Sequence, residues 1–195
     1  MPTHSTSSGQ APTRDDALQL VERYIINPNL KKHLVAVEAL MRALAKKFGQ
    51  DEELWSMAGL LHDLDWELTK DNPARHSLMS AEILTAANFP PEIINAVKVH
   101  NFVHNIEPQT MLEKALYATE EITGLIVACA LVTPSKKLSE LTVDRVLKKF
   151  KEPSFARGVN RDIILKCEPF LGITLEQLTQ IALTAMQEIS DQLGL

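Results

Sequence analysis

The chain has 195 residues, a length that suits one domain, with 45% apolar and 23% charged residues as in an ordinary globular protein. The net charge of −5 argues against a general nucleic-acid-binding protein, and two cysteines are too few for a disulfide framework. The apolar runs are too short for a transmembrane helix. We therefore expect a cytoplasmic protein that does not contact a membrane.

Apolar side chains recur at helical spacing along nearly the whole chain. The first segment, residues 1–13, is polar and lacks the apolar stretch of a secretory signal, so we expect a disordered tail there. Residues 14–195 form the expected domain. Its clearest element begins at Asn29, after which apolar residues follow in steps of three and four until Gly49 ends the helix.

Capping residues and prolines indicate the other helix boundaries. In chain order, the sequence predicts helices over 15–26, 29–48, 51–61, 72–87, 92–103, 110–132, 143–149, 159–167 and 174–193. Thr174 and Gln177 form a capping box at the start of the last of these. Since no segment alternates as a β-strand does, we predict an all-α fold, a single helical bundle of about nine or ten helices.

Positive charge is concentrated between Pro134 and Lys166. This segment has nine Lys or Arg and four acidic residues, so its charge is +5 and the rest of the chain carries −10. Two explanations stay open: solvated helix faces, or a surface that faces an anionic substrate or partner. For the second explanation, the candidate substrate-binding residues are Lys136, Lys137, Arg157 and Arg161.

Five of the six histidines lie between residues 33 and 104. Four of them take positions that an apolar helix face would occupy, namely His33, His62, His76 and His100. A single histidine in such a position is usually a hydrogen-bonded core residue. Four buried imidazoles beside a carboxylate are unfavourable unless they share a partner, and a divalent metal ion binds neutral imidazole and ionised carboxylate together.

The dipeptide His62-Asp63 lies at the predicted end of a helix. Adjacent side chains on a regular helix point about 100° apart, so both reach one ion only near a helix terminus. The acids Asp65 and Glu67 follow at once. We take Asp63, Asp65 and Glu67 as catalytic candidates, the last two for proton transfer or for orienting a ligand imidazole. The alternative for those two is a solvated, helix-terminal acid.

An upstream histidine, a His-Asp doublet and a later carboxylate on an all-α chain resemble the HD-domain superfamily of metal-dependent phosphohydrolases. The resemblance covers residues 18–189. Within the superfamily, the chain is similar to a small bacterial branch. The segments that carry it are Leu61–Glu67, His76-Ser77, Val99–Asn101, Ala115–Tyr117, Thr133–Leu138 and Phe155–Arg161. One departure concerns the residues after the doublet, where many members have Ile-Gly-Lys and this chain has Leu64-Asp65-Trp66.

The resemblance implies a first metal ion held by His33, His62 and Asp63 together with a carboxylate from the helix 110–132. The Asp expected there is absent. Glu120 takes its place, with Glu121 as the alternative. Glu is one methylene longer than Asp, so the metal preference or the geometry of this site is expected to differ.

In two-metal members of the superfamily, further histidines bind a second ion. His76 and His100 match that arrangement in order and spacing, and His104 is an additional candidate on the same helix face as His100. Asp63 would then bridge the two ions. The expected cofactor is one or two divalent ions of Mn, Fe, Mg, Ni or Zn.

The activity that the resemblance implies is hydrolysis of a phosphate ester or nucleotide by metal-activated water. The expected partner is a small phosphorylated substrate, without general nucleic-acid binding; self-association is left open. Two other functions stay open as well. One is a degenerate HD domain that binds metal or nucleotide without turnover, which Glu120 favours, and the other is a di-iron oxygenase. A purely structural helical protein ranks last because it does not require His62-Asp63.

Overall fold

The computed structural model describes residues 11–195, and all regular secondary structure in that range is helical, which confirms the all-α prediction. Within residues 11–195, nine α-helices have eight residues or more, and four are single turns. The helices are α1 (Arg14–Tyr24), α2 (Pro28–Phe48), α3 (Glu52–Leu61), α4 (Trp66–Thr69), α5 (Leu78–Ala86), α6 (Pro91–His100), α7 (Met111–Thr119), α8 (Glu121–Leu131), α9 (Val143–Phe150), α10 (Arg161–Ile164), α11 (Cys167–Leu171), α12 (Leu175–Glu188) and α13 (Ser190–Leu193). The described part of the chain also has two 3-10 turns, Phe102–His104 and Leu138–Glu140.

Most of the predicted tail, residues 1–10, lies outside the described residues. Thr13, its last residue, caps α1 through a capping box with Asp16. None of the helices within residues 11–195 combines the length and the apolar character needed to cross a bilayer. The cytoplasmic location stays a prediction.

Helix α2 is the centre of the core. The Asn27 side chain caps its first turn, Pro28 stands at its first position, and Gly49 ends it in the left-handed conformation with φ 63°. Over about 30 Å it packs chiefly against α3 and α12. The predicted apolar stripe faces these neighbours, and four of its residues are fully buried: Leu34, Val37, Met41 and Leu44.

Helix α3 approaches α2 most closely at Gly59. A Cβ atom at this position would lie 2.8 Å from the carbonyl oxygen of Val37 and 3.0 Å from Cγ of Met41, so a larger residue does not fit without movement of a backbone. This close approach matters for function because α3 ends two residues before Asp63 and delivers His62 to the side of α2 that carries His33.

The predicted helix 72–87 starts later than expected, at Leu78, so its predicted beginning was wrong. Ser77 has a left-handed backbone, with φ 69°, which interrupts the helix. Its hydroxyl donates to the carbonyl oxygen of Lys98, and the preceding His76 donates to Asp65. Tertiary hydrogen bonds therefore hold residues 73–77 as turns despite the favourable Asn72-Pro73 start.

The predicted helix 110–132 is divided at Glu120 into α7 and α8. The hydroxyl groups of Thr119 and Thr123 donate to main-chain carbonyls of Ala115 and Glu120, a competition that bends helices. The N–H of Thr123 also bonds to the carbonyl of Glu120, as in a tighter 3-10 turn. The C-terminal prediction is likewise divided into α12 and α13, while its capping box at Thr174 is confirmed.

We expect Gly59→Ala to lower the free energy of unfolding by about 1–3 kcal/mol, because the added methyl group forces α3 away from α2. Gly124→Ala is the matched control, since its Cβ would meet only Cγ2 of Val159 at 3.7 Å and alanine is favoured over glycine inside a helix. Urea unfolding followed by circular dichroism measures both variants. A Gly59→Ala protein as stable as the wild type would contradict the tight contact.

Candidate metal centre

Side chains from four separate segments meet at one end of the α2–α3 pair. His33 comes from the second turn of α2, and His62 and Asp63 follow directly after α3. His76 lies in the turn before α5, and His100 is the last residue of α6. Three of these residues sit at helix ends, where the chain turns and adjacent side chains can converge. The structure thus brings together the histidines that the sequence singled out.

Asp63 lies at the middle of this cluster. Its Oδ2 faces Nε2 of His62 at 3.5 Å and Nε2 of His33 at 3.9 Å. Its Oδ1 faces Nε2 of His76 at 3.2 Å and Nε2 of His100 at 3.3 Å. Ligands that lie about 2.1 Å from a common ion are separated by about 3.0–3.4 Å. The cluster has two halves: the first is His33, His62 and Asp63, and the second is Asp63, His76 and His100. The Asp63–imidazole distances of the second half fall in this range, and those of the first half are slightly longer. Asp63 belongs to both halves.

Main-chain carbonyls orient two of the imidazoles. Nδ1–H of His62 donates to the carbonyl oxygen of Gly59 at 2.8 Å, and Nδ1–H of His100 donates to that of Val97 at 2.6 Å. Each bond spans three residues within the same helical turn. The tautomer that donates through Nδ1 leaves Nε2 as a bare acceptor, which is the state that ligates a metal.

His33 is held by a hydroxyl group instead. Its Nδ1–H donates to Oγ1 of Thr123 at 3.2 Å, while that hydroxyl donates onward to the carbonyl oxygen of Glu120. The Nε2 atoms of His33 and His62, both acceptors, then face each other at 3.3 Å. Two lone pairs at this distance repel unless a proton or a cation lies between them. This donor set fits a divalent metal ion.

His76 is oriented by a carboxylate. Its Nδ1–H donates to Oδ1 of Asp65 at 2.8 Å, and Oδ2 of Asp65 accepts from the N–H of Ser80. Asp65 is fully buried behind His76, so it does not reach the cavity itself. Such a carboxylate–histidine pair raises the basicity of the imidazole toward a metal. Of the two roles expected for Asp65, the geometry favours the orienting one.

The electrostatics of the first half favour metal-binding protonation states. Burial lowers the pKa of His62 to about 3 and also lowers the pKa of His33, so both imidazoles are neutral near pH 7. Burial alone would raise the pKa of Asp63, but the adjacent imidazoles, His62 foremost, hold it well below its usual range. Two neutral imidazoles and one ionised carboxylate are therefore ready for a cation.

Glu120 extends the first half of the cluster. Its Oε2 lies 3.8 Å from Nε2 of His33. Burial raises the pKa of Glu120 well above its usual value, with further contributions from the charges of Glu121 and Asp63. A bound cation would reverse this effect and favour the carboxylate. Glu121 also lines the cavity beside the cluster.

A cavity of about 690 Å³ opens onto the cluster. Sequence reasoning missed most of its outer wall, because single aromatic and amide residues in turns carry no periodic signal. The one available hint was that Trp66 stands three residues after Asp63. The outer wall includes Trp66, Lys70, Asn101, Phe102, Val103 and Asn160.

Of the four predicted substrate-binding residues, Arg157 lines this cavity and the other three do not. Lys136 and Lys137 are exposed beyond the far end of α8, about 16 Å along the helix from Glu120. The guanidinium of Arg161 is occupied by main-chain carbonyls, which it ties into the loop that carries Arg157. Those carbonyls belong to Phe150, Glu152, Phe155 and Val159.

Two other candidates are occupied elsewhere. The carboxylate of Glu67 accepts from the main-chain N–H groups of Ile26 and Asn27, where α2 begins, and it does not line the cavity. Nε2–H of His104 donates to the carbonyl oxygen of His76 at 2.8 Å. Glu67 therefore anchors the start of α2 and His104 anchors the turn of His76, so the structure brings neither to the cluster.

The sequence model of the HD domain matches residues 30–133, which is more than half of the chain. The chain belongs to the HD domain family. The matched range contains the His62-Asp63 doublet and every other member of the cluster. The resemblance that the sequence indicated is thereby confirmed.

Among curated proteins, the chain is similar to Ribonuclease Y of Sulfurovum sp. (strain NBC37-1), with 27% identity over 80% of this chain and 31% of that protein. Ribonuclease Y of Latilactobacillus sakei subsp. sakei (strain 23K) is 26% identical over 85% of this chain and 32% of that protein. For Ribonuclease Y of Helicobacter hepaticus (strain ATCC 51449 / 3B1), identity is 33% over 40% of this chain and 15% of that protein. The chain thus spans about a third of the first two relatives' length. No solved structure matches.

These relatives contradict the expected partner, a small phosphorylated substrate without nucleic-acid binding, since their name is that of nucleases acting on RNA. The expectation of no nucleic-acid binding was wrong because it relied on the net charge of the whole chain. An average of −5 conceals the basic segment 134–166, and the field at a binding site depends on local charge. The segment includes Arg157, which lies at the cavity.

We expect the protein to bind two divalent ions and Asp63→Asn to lose both, because Asp63 is a member of both halves of the cluster. His33→Ala and His100→Ala should each lose one ion. Elemental analysis after dialysis measures the stoichiometry, and circular dichroism checks that the helices persist. Asp144→Asn, an exposed acid on α9, is the matched control. Undiminished metal content in Asp63→Asn would disprove the assignment.

Metal binding by the second half should release a proton. Burial lowers the pKa of His76, but hydrogen bonds to Asp63 and Asp65 outweigh it and raise the pKa to about 9. The imidazolium must therefore lose its proton at pH 7 before Nε2 can ligate, and affinity should rise with pH up to about 9. Titration calorimetry in two buffers of different ionisation enthalpy counts the protons. Asp65→Asn should reduce the count, and equal heats in both buffers would contradict this account.

Proposed function

We propose that this chain is a metal-dependent phosphohydrolase that cleaves phosphodiester bonds of RNA. The observation that carries the proposal is that two pairs of histidines share the carboxylate of Asp63. Membership of the HD domain family supports hydrolysis, and similarity to proteins named Ribonuclease Y supports RNA as the substrate.

In this proposal, one ion would be held by His33, His62, Asp63 and Glu120. A second would be held by Asp63 with the two remaining cluster histidines, His76 and His100. A divalent cation, when bound, lowers the pKa of water and neutralises charge that develops on phosphoryl oxygens. The ligands are imidazoles and carboxylates without a thiolate, which is typical of hydrolytic rather than structural metal sites. Mn, Fe, Mg, Ni and Zn are all candidates.

The chain itself positions these groups and the substrate. Asp65 holds His76 in the tautomer that presents Nε2 to the cavity. Arg157 offers a planar fork of donors that matches a phosphate group, and Arg161 stiffens the loop that presents it. Lys70 adds a second positive charge to the wall. The cavity thus combines cations for a phosphate backbone with a site for its hydrolysis.

We expect the protein, stripped with a chelator and reloaded with single cations, to cleave a labelled single-stranded RNA only when a cation is present. Asp63→Asn, purified identically, should lower the rate at least 100-fold. This variant is also the control for contaminating nucleases, which would be present in both preparations. Product analysis on denaturing gels gives the rates. Intact RNA in every cation would contradict the proposal.

Arg157→Ala should raise KM roughly 10- to 100-fold with a smaller change in kcat, as expected when a charged hydrogen bond to substrate is lost. Lys137→Ala is the matched control, because this exposed cation lies outside the cavity. Equal effects of the two substitutions would indicate general charge attraction instead of a phosphate contact. Tight RNA binding without cleavage would select a binding module, and iron-dependent oxygen uptake would select an oxygenase.

A further inference from the structure

Two large aromatic side chains stand half-exposed at the mouth of the metal cavity. Trp66 and Phe102 both line it, and each exposes 43% of its surface. We infer that they form a base-stacking subsite, which binds nucleobases beside the phosphodiester and thereby selects single-stranded RNA. This inference rests on the proposed function, which it deepens by naming the form of the substrate.

Trp66 is rigidly connected to the metal centre. Its N–H donates to the carbonyl oxygen of Asp63 at 2.9 Å, so one tight turn separates the indole from the shared carboxylate. The indole also packs edge-to-face on His76, with ring centroids 4.9 Å apart and an angle of 82° between the planes. A base stacked on Trp66 would therefore lie within about one nucleotide of the reacting phosphate.

Phe102 is held by a different set of contacts. The Asn101 side chain donates to the carbonyl oxygens of Pro73 and His76, and it caps the 3-10 turn that begins with Phe102. At the end of the same turn, His104 donates to the carbonyl of His76. Both aromatic residues are thus fixed to the segment that carries His76, although they come from distant parts of the chain.

The residues of the cavity wall indicate which kind of ligand binds to these rings. The other tryptophan, Trp55, is buried in the core, whereas Trp66 is exposed where it lines the cavity. The same cavity carries the cations Lys70 and Arg157, which an apolar protein segment would leave unpaired. Flat apolar rings that alternate with phosphate charges are the chemistry of a single nucleic-acid strand. Bases in a duplex are stacked on each other and do not present their faces to a protein.

The test compares the metal-loaded protein on a short oligoadenylate and on an abasic ribose-phosphate chain of equal length. We expect Trp66→Leu and Phe102→Leu each to weaken oligoadenylate binding roughly tenfold, in line with the loss of one stacked base. Affinity for the abasic chain and metal content should stay unchanged. Fluorescence anisotropy of labelled chains gives the affinities, and a stopped-flow instrument records them before turnover.

Trp66 also serves as a reporter. Oligoadenylate should quench tryptophan fluorescence, Trp66→Leu should abolish that quench, and Trp66→Phe should retain most of the affinity because it keeps an aromatic face. Val132→Ala, an exposed apolar residue at the far end of α8, is the matched control and should change nothing. A duplex of the same length should bind at least tenfold more weakly than the single strand.

The outcomes separate the two proposals. Equal affinity of the wild type for the oligoadenylate and the abasic chain, or leucine variants that bind oligoadenylate as the wild type does, would overturn the stacking subsite even if RNA is cleaved. Base-dependent binding that is lost in both leucine variants, without cleavage in any cation, would support the subsite and overturn only the nuclease activity. A wild type that binds neither chain would overturn both.

Discussion

The carboxylate of Asp63 is the group on which the rest of this structure depends. Each of its two oxygens faces a separate pair of imidazole nitrogens. The four imidazoles come from four separate segments of the chain. Buried imidazoles with their lone pairs directed at one another are unfavourable without a positive charge between them. The arrangement therefore fits divalent cations, and the surrounding structure holds the candidate ligands in place.

Much of the fold serves that purpose. The glycine contact between α2 and α3 brings His33 and His62 within 3.3 Å, and the carbonyl of the same Gly59 orients His62. The division between α7 and α8 places Thr123 where it can hold His33. These partners limit the rotation of each ring before any ligand binds, so that binding a cation has less ordering to impose. The same helix contacts that form the core therefore also position the candidate metal ligands.

The proposals also give a physical reason for the contrast between the two sides of the cavity. The inner side is a cluster of imidazoles and carboxylates, the groups that ligate divalent ions. The outer side has cations and half-exposed aromatic rings, which suit phosphates and bases. A polymer with alternating charge and flat apolar surface matches such a wall better than a compact anion does. The overall negative charge of the chain is compatible with this, because the basic residues are concentrated in one segment.

The sequence by itself determined the helical class, the core stripe of α2 and the identity of the clustered histidines, because these depend on local periodicity and on residue types that are rare on apolar faces. It also placed His62-Asp63 at a helix end. Only the tertiary structure decided which charged residues reach the cavity. Arg157 and Arg161 are four residues apart in one basic segment. Arg157 lines the cavity at the metal cluster, whereas Arg161 donates its hydrogen bonds to main-chain carbonyls. The start of α5 and the place of Trp66 beside Phe102 were likewise decided by contacts between distant segments, which leave no periodic trace in the chain.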